Sequence, residues 1–555
     1  MAPAPIEDRR PQRARVAALA VAVVGAAVPL LRALPLVRDS SRMQHSDYWP
    51  MLDTMLGDDG GLRWAGLLEA RNQHPVVIPK AIYWLNVLAA DGDNRTLGLV
   101  TLGIVAATVV LVGLIARTTP GLGRGSRVSL TISASVLLFA HQGAWGIVKA
   151  MSGTAWFTAN AFAVAAVLAA QRGRRVAPAV LAVLATISYG TGLAAWPAVG
   201  VVLIASARSR RDLVRHWPTA VAGTVSLGLY GAWYSSRPFP GPPRPGPLAL
   251  GERVLTGLGS LPGDGRAPVA LGLLAVALGA VALAVAWRRR LLAAAAPWLG
   301  FVAYGGSSLV LIATSRTDST ASRYTSLAAL TWLGVVGLVL VALPRRGWTA
   351  LVPIPLVVAV GLGGNQTVQD LRPATAGADL LAGRILSGVA DGSTTGGERH
   401  PFPAITERLR VRGHHPFTSD RVDCGLMGRT VDVGSRLPST RAAVILATED
   451  RLLQGWGMSR GWVLPGGDVE CALVVDGDDR VIGATLNTSG ALLVQAEHVG
   501  AQTVLSRIVQ MVAQAQRSRA PMQRLADVVA GRFVLVVVAI AVVAFFAWGL
   551  FGPEP

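Results

Sequence analysis

The sequence predicts an α-helical polytopic membrane protein of about ten to twelve transmembrane helices, with a small β-rich or α+β soluble domain before the last helix. Three observations carry this reading. The 555 residues are 52% hydrophobic and only 15% charged, at a mean hydropathy of +0.47, whereas an average soluble chain is about 25% charged. Apolar runs of roughly 20 residues recur, the length that crosses a bilayer core. Arginines gather in every second connection between those runs, as cytoplasmic loops require.

The same numbers exclude disorder, collagen and a disulfide scaffold. Two cysteines, Cys424 and Cys471, make no zinc site by spacing, although they form one bridge if they face an oxidising compartment. The formal charge of +19 would suggest nucleic acid in a soluble protein. Here the basic residues fall between apolar runs, which points to the lipid bilayer as partner and away from nucleic acid.

Residues 1–15 form a cytoplasmic amino terminus carrying Arg9, Arg10, Arg13 and Arg15. The apolar run Val16 to Val37 is too long for a signal-peptide core and has no small-residue cleavage pattern after it, so it reads as the first span. Further runs lie at about 97–116, 128–146, 153–170, 218–235, 268–287, 291–313, 325–343 and 348–364, completing a polytopic domain over 16–364. Arg117, Arg124 and Arg127 mark one inner connection. Arg172, Arg174 and Arg175 mark the next, followed by Arg208 to Arg215, Arg288 to Arg290, and Arg345 with Arg346.

The stretch Val176 to Ala205 has basic flanks at both ends and Ser188-Tyr189-Gly190-Thr191-Gly192 at its middle. Both ends therefore belong inside. The pattern predicts a short helical hairpin or re-entrant pair turning at Gly190 and Gly192, and a protein-lined cavity to satisfy its backbone; two short spans are the competing reading. The outer segments are then loop 38–96, the turn near Lys149, the Pro-rich loop 237–267 and loop 314–324. Loop 38–96 is rich in acids: Asp39, Asp47, Asp53, Asp58, Asp59, Glu69, Asp91 and Asp93.

Residues 365–480 change in texture. Turn-rich polar stretches alternate with β-like runs such as Ala442 to Ala447 and Cys471 to Val475, which predicts a soluble, extracytoplasmic domain. A segment over 481–532 follows, with Val504, Leu505, Ile508, Val509 and Val512 on one helical face. The run Phe533 to Phe551 is the last helix.

The stretch most suited to chemistry is HSDYWPMLD, His45 to Asp53, just after the first span. A carboxylate at the membrane surface serves as general base toward an acceptor hydroxyl when its surroundings tune it. Asp47 is the first choice and Asp53 the second. Aromatic belts explain Tyr48 and Trp49 equally well, and acids in an outer loop are commonly solvated charge.

This layout resembles the C-type membrane glycosyltransferases, which use a polyprenyl-phosphate sugar donor. The shared features are many spans, a large first outer loop with an early acid, and an outer domain near the carboxyl end, over about residues 16–470. Glu69 to Lys80, EARNQHPVVIPK, is similar to an N-E-H-R-x-x-x-P stretch of related bacterial proteins, with Gln73 in place of the acid and Pro75 in place of the arginine. The resemblance implies glycosyl transfer to a cell-envelope glycan acceptor, with a lipid phosphate leaving. It also implies cationic partners for that phosphate: Arg316 and Arg323 by topology, then Lys80 and His74. Helix-end snorkelling is the alternative for Arg323. No cofactor is called for by these residues, and a divalent metal ion is left open.

A second resemblance lies in Val481 to Trp548. Gly483-Ala484-Thr485-Leu486-Asn487, the run from Gln514 to Pro521, and Gln523-Arg524-Leu525-Ala526-Asp527 resemble heavy-metal P-type ATPases, copper exporters above all, at the end of their actuator domain and the following span. The family's D-K-T-G, T-G-E, C-P-C and G-D-G-x-N-D motifs do not occur in the sequence, so a phosphoenzyme cycle has no acceptor aspartate here. The resemblance also implies a cytoplasmic side for this segment, and Arg517, Arg519, Arg524 and Arg532 before the last run agree. Counting spans from the amino end places it outside. Two readings reconcile the count: Trp348 to Gly364, short and interrupted by Pro353 and Pro355, does not span, or a join lies near Val474 to Gly483, as a fusion or as two reading frames brought together, which is the favoured reading; a non-enzymatic membrane protein or transporter is the remaining class.

Overall fold

The computed structural model describes residues 10–363, except 46, 58–60, 72–73, 237–244, 262–267, 317–321 and 344–346, together with scattered positions over 367–378 and four short strands between 394 and 456. The chain divides into two compact units, Met1–Leu486 and Asn487–Pro555, and every described residue belongs to the first.

The helices run α1 Arg10–Arg38, α2 Tyr48–Met55, α3 Trp64–Leu68, α4 Val77–Ala90, α5 Asn94–Thr118 and α6 Arg124–Leu138. They continue through α7 Trp145–Val148, α8 Ala150–Gln171, α9 Ala177–Ser188, α10 Ala195–Ser206, α11 Arg210–Val214 and α12 Trp217–Ser235. The last five are α13 Pro247–Gly259, α14 Pro268–Arg288, α15 Leu292–Ser315, α16 Thr325–Ala342 and α17 Ile354–Leu362. Six are long and apolar enough to cross a membrane: α1 from Val16, α5, α8, α14, α15 and α16. The protein is thus mostly helical and multi-pass.

Several expectations change. Among the described residues six helices, not ten to twelve, have the length and composition of a span, and the run at 533–551 lies outside those residues. The run at 128–146 does not continue as one helix: α6 stops at Leu138 and a 3-10 turn at His141–Gly143 follows. The run at 348–364 breaks into a 3-10 turn, Gly347–Leu351, and the nine residues of α17, because Pro353 and Pro355 cannot donate the backbone bonds a continuous helix needs. Loop 38–96 folds into α2, α3 and α4, and the Pro-rich loop contains α13. A β-rich or α+β soluble domain is not supported. The described strands form two separate antiparallel pairs: Thr394–Thr395 with Glu398–Arg399, and Ala443–Thr448 with Arg451–Trp456. Cys424, Cys471 and the ATPase-like segment lie outside the described residues.

Burial explains the arrangement. Every residue of α16 is buried, so it is the central post of the bundle, and its lack of an apolar stripe follows from contact on all sides. α15 packs along it at glycine: a Cβ on Gly305 would stand 2.0 Å from Thr331 Oγ1, and one on Gly337 2.1 Å from the Trp298 ring. Small residues let helix backbones approach in lipid, where dispersion and polar contacts must drive association. Peripheral helices show the opposite pattern. On α1, Val16, Leu19, Val21, Val23 and Val24 are exposed, as lipid-facing positions should be.

The predicted break in Val176 to Ala205 falls at the glycines. α9 and α10 have 12 residues each, about 18 Å at 1.5 Å per residue, short of the ~30 Å core. A 3-10 turn, Gly190–Ala194, separates them with four of its five residues buried. The Trp196 indole donates to Thr186 Oγ1 at 3.1 Å, tying one helix to the other.

A second, smaller core covers the end of the bundle that the sequence assigns to the outer side: Tyr48, Trp49, Leu52 and Met55 of α2 against Tyr83 and Val87 of α4. Its fastening is Lys80, whose Nζ donates to Thr54 Oγ1 at 2.9 Å, Gly66 O at 2.6 Å and Glu69 O at 3.0 Å. Asp93 caps α5, accepting from the backbone of Arg95 and Thr96, and pairs with Arg42.

Candidate functional site

The end of the bundle covered by residues 38–96 gathers two arginine–carboxylate pairs, Arg71 with Asp47 and Arg42 with Asp93, further arginines and a string of aromatic rings. Asp47 stands at the start of α2 with its carboxylate 3.0 Å from Arg71 Nη2. Arg71 and His74 exchange two backbone bonds of 3.0 Å across a tight bend, so the partner of Asp47 is held rigidly beside the His74 ring. That ring lies 4.1 Å from Tyr189, Tyr189 lies 4.3 Å from Trp156, and Trp156 meets Tyr324 edge-on at 5.3 Å. Tyr189 is the last residue before the glycine turn. A Cβ on Gly190 would stand 2.5 Å from His74 Nδ1 and 3.2 Å from the Tyr230 hydroxyl, so only glycine lets the hairpin tip reach the outer cover.

Charge is set by burial. His74 is pushed down to about 4, first by burial and then by the Arg316 guanidinium nearby. It is a neutral imidazole at pH 7, and its Nδ1 has no hydrogen-bond partner. Arg316 is exposed at the end of α15, where Arg253 donates to its carbonyl at 3.1 Å and to Ala313 O at 3.2 Å. Both side chains bring positive charge to this end of the bundle.

The predicted site residues therefore separate. Asp47, His74 and Arg316 belong to one neighbourhood. Asp53, six residues after Asp47 and half-buried on α2, lies about a third of a turn round that helix. Lys80 is pulled down to about 8, chiefly by burial, and its three donors are all taken by the protein; it braces the cover and has no hydrogen left for a phosphate. Arg323 has its backbone in the 3-10 turn Ser322–Tyr324. Sequence reasoning gave no role to Arg71, Tyr189, Trp156 or Arg253. The available signals were Tyr189 next to the glycine break and Arg71 inside the stretch already singled out.

Beneath the string, the Tyr304 hydroxyl donates to Asn160 Oδ1 at 2.8 Å and Asn160 Nδ2 donates to Ser326 Oγ at 3.0 Å. Such cross-helix bonds in lipid contribute about 0.6–2 kcal/mol each. The cavity beside Trp156, between α6, α8 and α16, measures about 10 Å³, room for one water and not for a sugar. Among the described residues no three His, Cys, Asp or Glu side chains converge, so no step is assigned to a metal ion.

No protein-family model matches the chain, and no solved structure matches it. Stretches of known proteins do. It is 64% identical over 77 residues to the silver exporting P-type ATPase of Salmonella typhimurium, covering 14% of this chain and 9% of that protein. Over 76 residues it is 58% identical to the copper-exporting P-type ATPase of Legionella pneumophila, covering 14% and 10%. Over 77 residues it is 57% identical to the copper-transporting P-type ATPase of Rhizobium leguminosarum, covering 14% and 9%. The chain thus spans about a tenth of the length of the curated relatives it matches. The glycosyltransferase likeness finds no support in these comparisons. The chain is a multi-pass helical membrane protein, and a stretch of it is similar to copper and silver P-type ATPases.

Proposed function

We propose that the chain is a multi-pass membrane protein fused to a fragment of a heavy-metal P-type ATPase, and that it does not pump metal by itself. One observation carries this: identity as high as 64% is confined to 77 residues, 9% of the relative, and the actuator motif T-G-E does not occur beside the likeness. Transfer of the γ-phosphoryl group needs an acceptor carboxylate and a nucleotide site positioned against it. The purified full chain, given radiolabelled ATP with copper(I) or silver(I), should form no acid-stable phosphoenzyme. A strain lacking it should keep its copper and silver tolerance. A metal-stimulated phosphoenzyme would overturn the reading.

A second reading, glycosyl transfer at the outer face, is favoured by the Asp47–Arg71 pair beside Arg316 and the aromatic string. Asp47 takes the proton of an acceptor hydroxyl as its oxygen bonds to the sugar's anomeric carbon. The bond from that carbon to the phosphate oxygen breaks, and the polyprenyl phosphate leaves with the electron pair toward the arginines. In this reading Asp47→Asn lowers transfer to the envelope glycan by about 10²–10⁴-fold with the melting temperature unchanged. Unaltered envelope glycan in the variant would remove the reading.

A further inference from the structure

At the end of the bundle opposite the aromatic string, a groove of about 760 Å³ runs between the last turn of α10 and the α14–α15 connection. Its walls are apolar, from Ile204, Leu292 and Leu299, and its rim carries Trp287, Arg288 and Arg290. Ile204 and Trp287 are each 67% exposed at helix ends whose outward residues face lipid. An apolar trough ending in an indole and two guanidinium groups has the layout of a phospholipid: acyl chain, interface, phosphate.

The connection itself is unusual. Leu291 N donates to Ala286 O at 2.7 Å and Arg290 N to Trp287 O at 3.0 Å, the paired bonds of a Schellman ending, whose left-handed residue is ordinarily glycine. Here it is Arg290, at φ 56°, a conformation that is costly for a residue with a Cβ. Glycine would relieve the backbone and lose the guanidinium. Among the described residues no carboxylate lines the groove, so its rim is net positive.

We propose that this groove binds an anionic phospholipid, its phosphate held by Arg288 and Arg290 and an acyl chain lying along Ile204, Leu292 and Leu299. The arginine placement puts this end on the cytoplasmic side. The proposal stands apart from the ATPase-fragment reading and from glycosyl transfer.

The test is native mass spectrometry of the full chain in non-ionic detergent with equal amounts of phosphatidylglycerol and phosphatidylcholine of the same acyl chains. The wild type should retain phosphatidylglycerol in preference. The Arg288→Gln/Arg290→Gln variant should lower that preference by about 10- to 30-fold, since a basic residue at an anionic lipid surface is worth about a factor of five. Arg290→Gly is the second variant. It should raise the melting temperature without lipid and shrink the further rise produced by phosphatidylglycerol. Equal retention of the two lipids by the wild type, an unchanged preference in the double variant, or a full phosphatidylglycerol-induced rise in Arg290→Gly would each overturn the proposal.

Discussion

Lys80→Met is expected to unfasten the outer cover and to destabilise the protein by about 3–5 kcal/mol, as when one partner of a buried charged cluster is removed. Lys80 is 1% exposed, and its ammonium is surrounded by Thr54 Oγ1, Gly66 O and Glu69 O at 2.6–3.0 Å. Methionine fills the stem's volume and donates nothing, leaving two backbone carbonyls without a partner away from water. The cluster exists because α2 and α3 touch: a Cβ on Gly66 would stand 1.8 Å from Thr54 O, so only glycine brings the Gly66 carbonyl into reach. Lys80→Arg should fail to restore stability, because a planar fork cannot replace three donors radiating from one nitrogen. The measurement is the thermal midpoint in detergent, and a midpoint within a degree of wild type for Lys80→Met would refute the bracing role.

Gly192→Ala is expected to cost about 3 kcal/mol and to disorganise the aromatic string. A Cβ there would lie 1.9 Å from Ala185 O and 2.2 Å from its carbonyl carbon, against an ordinary contact of about 3.5 Å. The obstruction is backbone in the last turn of α9, so no rotamer change relieves it and the turn must move. Tyr189 moves with it, away from His74 and Trp156. Gly200→Ala is the control: nothing lies within 4 Å of a Cβ on Gly200, and its place inside α10 predicts no loss or a gain of about 0.4–1 kcal/mol. Equal melting temperatures for the two variants would show that the turn is not closed as described.

The multi-pass class, the first span and the break at Gly190 and Gly192 were legible in the sequence because each rests on a local property. Length of apolar run, arginine placement and glycine need no knowledge of neighbours. The number of spans among the described residues was not legible. Run 128–146 is apolar enough, yet it ends at buried Leu138, a break hydropathy does not register; run 348–364 is cut near Pro353, between exposed Leu351 and Ile354, where Pro353 and Pro355 were the signal. The outer loop failed differently. Its acids marked it as outside, while α2, α3 and α4 close over their own core of Tyr48, Trp49, Met55 and Tyr83, a consequence of contacts up to 40 residues apart.

The candidate site shows the same division. From the sequence alone, counting spans and arginines assigns Asp47, His74 and Arg316 to one side of the membrane as an expectation. Only the tertiary structure decided what each one does. It bonded Lys80 to three oxygens of the cover, left His74 neutral by burying it beside Arg316, gave Asp47 an arginine partner, and set Tyr189 and Trp156 between them. Those outcomes depend on burial and on distances of a few ångströms between residues tens to hundreds of positions apart. Desolvation and hydrogen-bond geometry act through that proximity, and the order of residues along a chain does not contain it.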